Sequence, residues 1–358
     1  MPGLRPALKG SQFVKRRLGR IASRFLPLAL VAICGCPTGP GVGETARLLF
    51  SNLNAALLSV SGTSVTDVYA VGADPGDGDG PYVLHYDGQI WRRLMTGTTG
   101  DLWWISVAPL DGHFFMAGAD GQVLRFDPAT ASFEPLQTPG GSGETVFGVW
   151  GTDQTHVWAV GGNLDSPDDS GFLWRFDGVA WTPQDLTCIA PDGLPILYKV
   201  WGRTSNDVYA VGRLGTVLHF DGAAWSFIPT DTTSTIFTIS GNDELAIAVG
   251  GFVNAVIVEQ DGDLFVDRAP AGLPQMSGIF VSPDGSAVAV GTEASVARRG
   301  AGGWALDAAE FDTFRDFHAA WMDPQGGVWA VGGNLSGALN DGILAYIGTA
   351  DVSTAVAP

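Results

Sequence analysis

Two stretches of this chain put carboxylates where a hard cation could sit. "ADPGDGDGP" carries Asp74, Asp77 and Asp79, and "GNLDSPDDSG" carries Asp165, Asp168 and Asp169. Glycine between acids lets the backbone curl so that several carboxylates converge, which is the chemistry Ca²⁺ takes. A third stretch, "GNLSGALNDG", ends on Asn340 and Asp341. None of the three has the full spacing of an EF-hand loop, and acids that merely solvate a turn are the competing reading. Ca²⁺ is the one cofactor these loops allow, and the expectation is that none is required.

Other chemistry motifs are incomplete. "GGSGET" (140–145) lacks the lysine of a phosphate loop. The five histidines, His85, His113, His156, His219 and His318, show no metal-ligand spacing. His85 and His219 fall at the same place in a repeat, which favours a structural role.

The charge is divided along the chain. Residues 1–35 hold seven of the nineteen Lys/Arg and no acid, leaving twelve basic against thirty-seven acidic residues, a formal charge of −25 for 36–358. Such a body repels phosphate backbones, which excludes nucleic acid as a partner. Residues 1–35 read as a signal peptide of the lipoprotein type. A basic stretch precedes the apolar run 25–33, too short to cross a bilayer, and "ICGC" offers Cys36 for lipid attachment. Residues 36–45 are a flexible tether. The expected location is the cell envelope, with the lipid as the only membrane contact. Cys188 then remains as the single thiol of the body, expected to be buried or half-buried in a connection.

The elements that hold these loops repeat. "DVYAVG" occurs at 67–72 and 207–212, and "VWAVGGNL" at 157–164 and 328–335. Aligned on the glycine of "AVG", the chain gives seven units ending at Gly72, Gly118, Gly161, Gly212, Gly250, Gly291 and Gly332, spaced 38 to 51 residues apart. A period near 40–45 residues with several short strands per unit is the signature of a propeller. The fourth unit parses most simply: "YKVWG", a polar turn, "DVYAVG", a tight "RLG", "TVLHF", "DGAA" and "WSFIP". Gly212 is expected to allow a sharp exit at positive φ.

The fold class is therefore all-β, a seven-bladed β-propeller of four-stranded blades with almost no helix. The blades lie at about 55–95, 102–137, 145–184, 196–229, 235–268, 275–307 and 316–347. The seventh unit stops after three strands, while "ARLLF" (46–50) precedes the first unit without one of its own. That N-terminal strand is expected to complete the last blade and close the ring. Residues 349–358 are expected to be a disordered tail.

Most tryptophans recur at matching repeat positions, as packing between blades would produce. Trp104, Trp150, Trp201 and Trp321 are assigned to the first strand of their units. Trp103 and Trp174 stand off the pattern and are the exposed aromatic candidates for a ligand.

The "VWG…DVWAVG…DGxxW" phrase resembles secreted bacterial propellers with degenerate BNR, or Asp-box, repeats. Asp87–Trp91, Asp177–Trp181 and Asp221–Trp225 place Asp, Gly and Trp at the turn between third and fourth strands, one residue tighter than that family's box and without its Ser and Thr. The resemblance covers about residues 46–347 and implies the fold; the Asp box is itself a structural turn. Sialidases share the repeat, but their arginine triad is not matched. The body's arginines pair as Arg92–Arg93 and Arg298–Arg299, beside turns of the wrong side.

In such a ring the turns between second and third strands (B–C) and between blades (D–A) emerge on one face. The long loops 73–81, 162–171, 333–342, 186–195 and 307–315 are all of this kind. Variable loops on a rigid scaffold carry function. The expectation is a monomeric binding or scaffolding module for an envelope protein or glycan, without catalysis. A glycosidase-like or lyase site on the same face is the alternative, and it would need two facing carboxylates about 5–10 Å apart.

Overall fold

The computed structural model describes residues 43–107, 112–166 and 170–357. Residues 1–35, read above as a signal peptide, together with Cys36, Asp168 and Asp169, lie outside these residues. Seven four-stranded antiparallel sheets are present. In six of them the strands follow chain order, as in Leu197–Thr204, Asp207–Gly212, Val217–Phe220 and Trp225–Phe227. The seventh sheet consists of Asp316–Met322, Val328–Asn334 and Asn340–Gly348, with Thr45–Leu53 from the start of the chain as its outer strand. The chain is an all-β, seven-bladed propeller closed in this way. Its only helical pieces among the described residues are the single turns Ala119–Gly121, Arg213–Gly215 and Thr292–Ala294.

The "AVG" glycine has a steric cause that differs from the expected one. Gly212 has φ −166°, extended backbone open to any residue. A Cβ there would lie 2.1 Å from the carbonyl oxygen of Ile196, just before the blade's first strand. The same clash recurs in every blade: 1.8 Å from Gln275 O at Gly291 and 1.9 Å from Asp101 O at Gly118. Glycine is required here by close backbone approach.

The "WG" of the repeats locks one blade to the next. A Cβ on Gly202 would sit 2.7 Å from Cη2 of Trp150 in the preceding blade, and one on Gly241 2.5 Å from Cη2 of Trp201. Trp321 of the last blade meets Gly62 of the first in the same manner, at 3.0 Å. The aspartate of "DVYAVG" braces the third strand. Asp67 accepts from His85 Nε2 at 2.9 Å, and the imidazole stacks on Tyr69 at 4.2 Å. Asp207, His219 and Tyr209 repeat this at 2.7 and 4.4 Å. The "DG" turns are Asx-turns: Asp221 Oδ1 accepts from the amides of Ala223 and Ala224, both at 2.9 Å.

Two expectations are corrected. The C-terminal segment does not trail as a disordered tail. Trp91 and Val356 pair as a parallel bridge, and the Trp91 indole donates to Ser353 O at 3.0 Å. Val352 is buried in the core shared by the first and last blades. The outer strand of blade 1 offers an unpaired edge and an indole N–H, and this segment satisfies both. Cys188 is free and exposed rather than buried, in the polar connection after blade 3.

Two stability outcomes follow. Gly212→Ala is expected to lower unfolding free energy by about 2–4 kcal/mol. Gly302→Ala, where nothing lies within 4 Å of the added carbon, should stay within about 0.5 kcal/mol in the same urea titration. Deleting residues 45–51 bares the edge of Asn340–Gly348, and the melting transition is expected to broaden and fall by at least about 10 °C.

Candidate binding face

The innermost strand of every blade carries a β-bulge at the same place. The pairing register slips between Leu57 and Ser59, Leu102 and Trp104, Val146 and Gly148, and Leu197 and Lys199. It slips again between Ile236 and Thr238, Met276 and Gly278, and Phe317 and Ala319. A bulge re-aims the extra side chain. Here six of the seven extra residues, Trp103, Phe147, Tyr198, Phe237, Ser277 and His318, line one pocket of 200 Å³ at the channel mouth. Leu164, Leu335 and Leu339 close over it from the loops of blades 3 and 7. The twice-used "VWAVGGNL" thus delivers a leucine to the mouth each time. The mouth opens on the B–C and D–A face, and none of its lining residues is an Asp or Glu.

Lys199 stands at the base of this pocket, 3% exposed. Its Nζ donates to Phe147 O at 3.0 Å and sits 3.3 Å from the centre of the Trp104 ring. Burial holds the amine well below the ordinary lysine value. His318 donates Nδ1–H to Leu58 O, so its Nε2 carries no proton in the neutral form. Burial, then the charge of Lys199, holds its pKa down at about 4. Trp103 packs edge-on to Phe147 (5.2 Å) and His318 (5.8 Å). On the opposite side of this plug the channel widens to 1020 Å³, walled by Trp104, Trp150, Trp201 and Trp321.

Sequence reasoning passed over the collar, Lys199 and His318. Two signals were present: each first strand opens with two successive large or polar residues that break alternation, and Lys199 is the only lysine after Lys15. Of the two off-pattern tryptophans, Trp103 belongs to the mouth. Trp174 is 3% exposed, stacked on Phe172 at 4.0 Å between blades, and is no surface aromatic. Trp104 is also off pattern. It aligns with Gly148 and Lys199, not with Trp150 and Trp201.

The acidic loops brace themselves. Asp74 accepts from the amides of Gly76 (2.8 Å) and Gly100 (2.9 Å), while Asp101 accepts from the Asp74 amide at 2.9 Å. Asp77 pairs with Arg93 at 2.7 Å and Asp79 approaches the same guanidinium at 4.0 Å. Asp165 is exposed. Asn340 accepts from Asn334 at 3.0 Å, and Asp341 pairs with Arg315 at 2.7 Å. Among the described residues no three His, Cys, Asp or Glu side chains are grouped to hold a metal ion. The arginine pairs are engaged too: Arg92 with Asp87, Arg298 with Asp307 and Glu44, and Arg299 with Glu259.

Around the mouth the same face exposes large apolar side chains: Leu164 (53%), Leu214 (59%), Phe252 (69%), Val253 (82%) and Phe314 (92%). Leu214 is held at φ 57°, a left-handed conformation that bulky residues avoid. The loops of the same face also expose the acids Asp120, Asp165, Asp192, Asp231, Glu293 and Asp312, with Asp120 and Glu293 at the turn position that Leu214 holds in its blade.

No protein-family model matches the chain. A stretch of 131 residues, 35% of this chain, is 32% identical to the Immune protein Tsi7 of Pseudomonas aeruginosa and spans 39% of that protein's length. Solved structures share the fold across the chain at low identity. Virginiamycin B lyase from Staphylococcus aureus superposes with TM-score 0.67 at 10% identity, covering 85% of this chain and 99% of that one. A streptogramin B lyase gives 0.66 at 12%, covering 86% and 98%. The WD40 propeller domain of Doa1 gives 0.63 at 10%, also covering 86% and 98%. At these identities the likeness shows the propeller fold alone.

The buried imidazole yields a pH dependence. With its folded pKa near 4 against an ordinary 6.5, His318 contributes stability that is full above 6.5 and drains away as pH falls to about 4. The total is on the order of 3 kcal/mol. NMR of labelled histidine should show one ring unchanged from pH 8 to 5, and His318→Gln should flatten the acid limb of the stability curve.

Proposed function

We propose that this chain is a protein-binding scaffold whose partner docks on the B–C and D–A loop face. The observation that carries the reading is that the loops of this one face expose five large apolar side chains, Leu164, Leu214, Phe252, Val253 and Phe314, interspersed with exposed acids. Met95 is exposed in the D–A connection after blade 1, and the other exposed large hydrophobics are scattered over outer strands, the C–D turns and the C-terminal segment. Large apolar side chains gathered on one face of a soluble body mark an interaction site. The acids favour a basic partner, since the body is strongly negative and charge complementarity steers encounter. The partial likeness to an immune protein supports a protein as the partner. In the same reading the chain is exported and held at the bacterial cell envelope by a lipid on Cys36, as the basic-then-apolar run and "ICGC" suggest.

A charge-introducing triple variant tests the face. Leu164→Glu, Val253→Glu and Phe314→Glu together are expected to reduce capture of envelope partners at least about tenfold. Val179→Glu with Leu264→Glu, on the opposite face, should leave capture unchanged. All five side chains are solvent-exposed, so both proteins should melt near the wild type. Equal capture by the two variants would reject the loop face.

A further inference from the structure

Lys199 is an amine without a counter-charge. Its ammonium form has three N–H donors. Phe147 O takes one, the Trp104 face meets the group at 3.3 Å, and among the described residues no carboxylate pairs with it. The side chain is 3% exposed yet lines the 200 Å³ mouth pocket. A charge so placed is satisfied only by loss of its proton or by an anion brought into the pocket. The walls say what such an anion must look like. Trp103, Phe147, Tyr198 and Phe237 offer aromatic surface, and Thr238 already donates its hydroxyl to Ser277 O at 2.6 Å. A void of about 150 Å³ suffices to bind benzene, so this one admits a single ring or a short aliphatic chain.

We propose that the mouth pocket is a binding site for the carboxylate of a small apolar or aromatic acid, with Lys199 as its ion-pair partner and the bulge collar as the apolar sleeve. The acid could be a free metabolite or the C-terminal residue of a docked protein; both present a carboxylate on an apolar body of this size. The acidic loops outside do not forbid it. None of them lines the pocket, and their field is screened within about 8–10 Å in physiological salt.

The test is calorimetric titration of the full chain with benzoate and with the neutral benzamide. A second pair of ligands, a tripeptide ending in phenylalanine with a free and with an amidated C-terminus, separates a metabolite from a protein terminus. The free acid of at least one pair is expected to bind about tenfold or more tightly than its amide. Lys199→Met should abolish that preference while still admitting the neutral ligand. Lysine-selective acylation read by peptide mapping gives a measurement on the unmutated protein, because Lys199 is the only lysine beyond residue 15. The preferred acid should slow Lys199 labelling at least threefold. The proposal is overturned if acid and amide bind alike, if neither binds, if Lys199→Met keeps the preference, or if the acid leaves labelling unchanged.

Discussion

The fold depends on one close approach, repeated seven times. At the end of each second strand the backbone passes so near the carbonyl at the start of the first strand that a Cβ would lie 1.8 to 2.1 Å from its oxygen. No side chain fits, and no rotamer relieves a clash that involves Cβ itself. This contact sets how tightly the first two strands of a blade meet at the loop face. Immediately beyond it the first strand carries its bulge. The glycine and the bulge are therefore one device. The tight pairing pins the strand's start, and the extra residue is turned into the channel.

That coupling makes the loop face the place where sequence can vary with consequence. The other face is fixed by Trp–Gly contacts between neighbouring blades, where Trp150 against Gly202 and Trp201 against Gly241 leave no room for change. At the loop face the bulge residue is Trp, Phe, Tyr, Phe, Ser or His without loss of the blade. The second-to-third-strand connections range from a single turn, as at Arg213–Gly215, to the long loop after Gly72. A rigid ring whose one end tolerates any side chain is suited to recognition.

The architecture was legible because it is periodic. Units of similar length, the "AVG" anchors, the three-stranded last unit and the unclaimed "ARLLF" together imply a closed ring. The physical reason for the anchor was not legible: a glycine in sequence does not say whether it serves positive φ or close approach, and Gly212 serves the second. The site was legible only in outline. Loop lengths point to one face, and the acids of 73–81 can be read from sequence either as cation ligands or as turn residues, because sequence does not display Arg93 beside Asp77 or the amides that engage Asp74 and Asp77. Of the two tryptophans read as exposed aromatics, Trp103 is half-buried at the mouth pocket and Trp174 is buried, since burial between blades depends on which way a strand faces its neighbour. The tail was misjudged because "ADVSTAVAP" has no periodicity. Its order comes from Trp91, 262 residues away from the Ser353 carbonyl that its indole binds.

Lys199 is the residue that the fold does not explain. Its position holds Ser59, Trp104, Gly148, Thr238, Gly278 and Ala319 in the other blades, so the strand needs no amine there. Removing an ammonium from water costs stability that one carbonyl hydrogen bond and one aromatic face only partly offset. A large apolar residue would fill the same space against Trp104 with no such cost. Where a local choice opposes the stability of an otherwise self-consistent structure, function is the usual reason. The sequence adds a second argument. A body that is otherwise free of lysine keeps one, at the point where six bulges aim their side chains. The mainly aromatic and aliphatic sleeve and the charge at its base select together: the rings of Trp103, Phe147, Tyr198 and Phe237 favour an apolar body, and the amine favours the end that carries an anion.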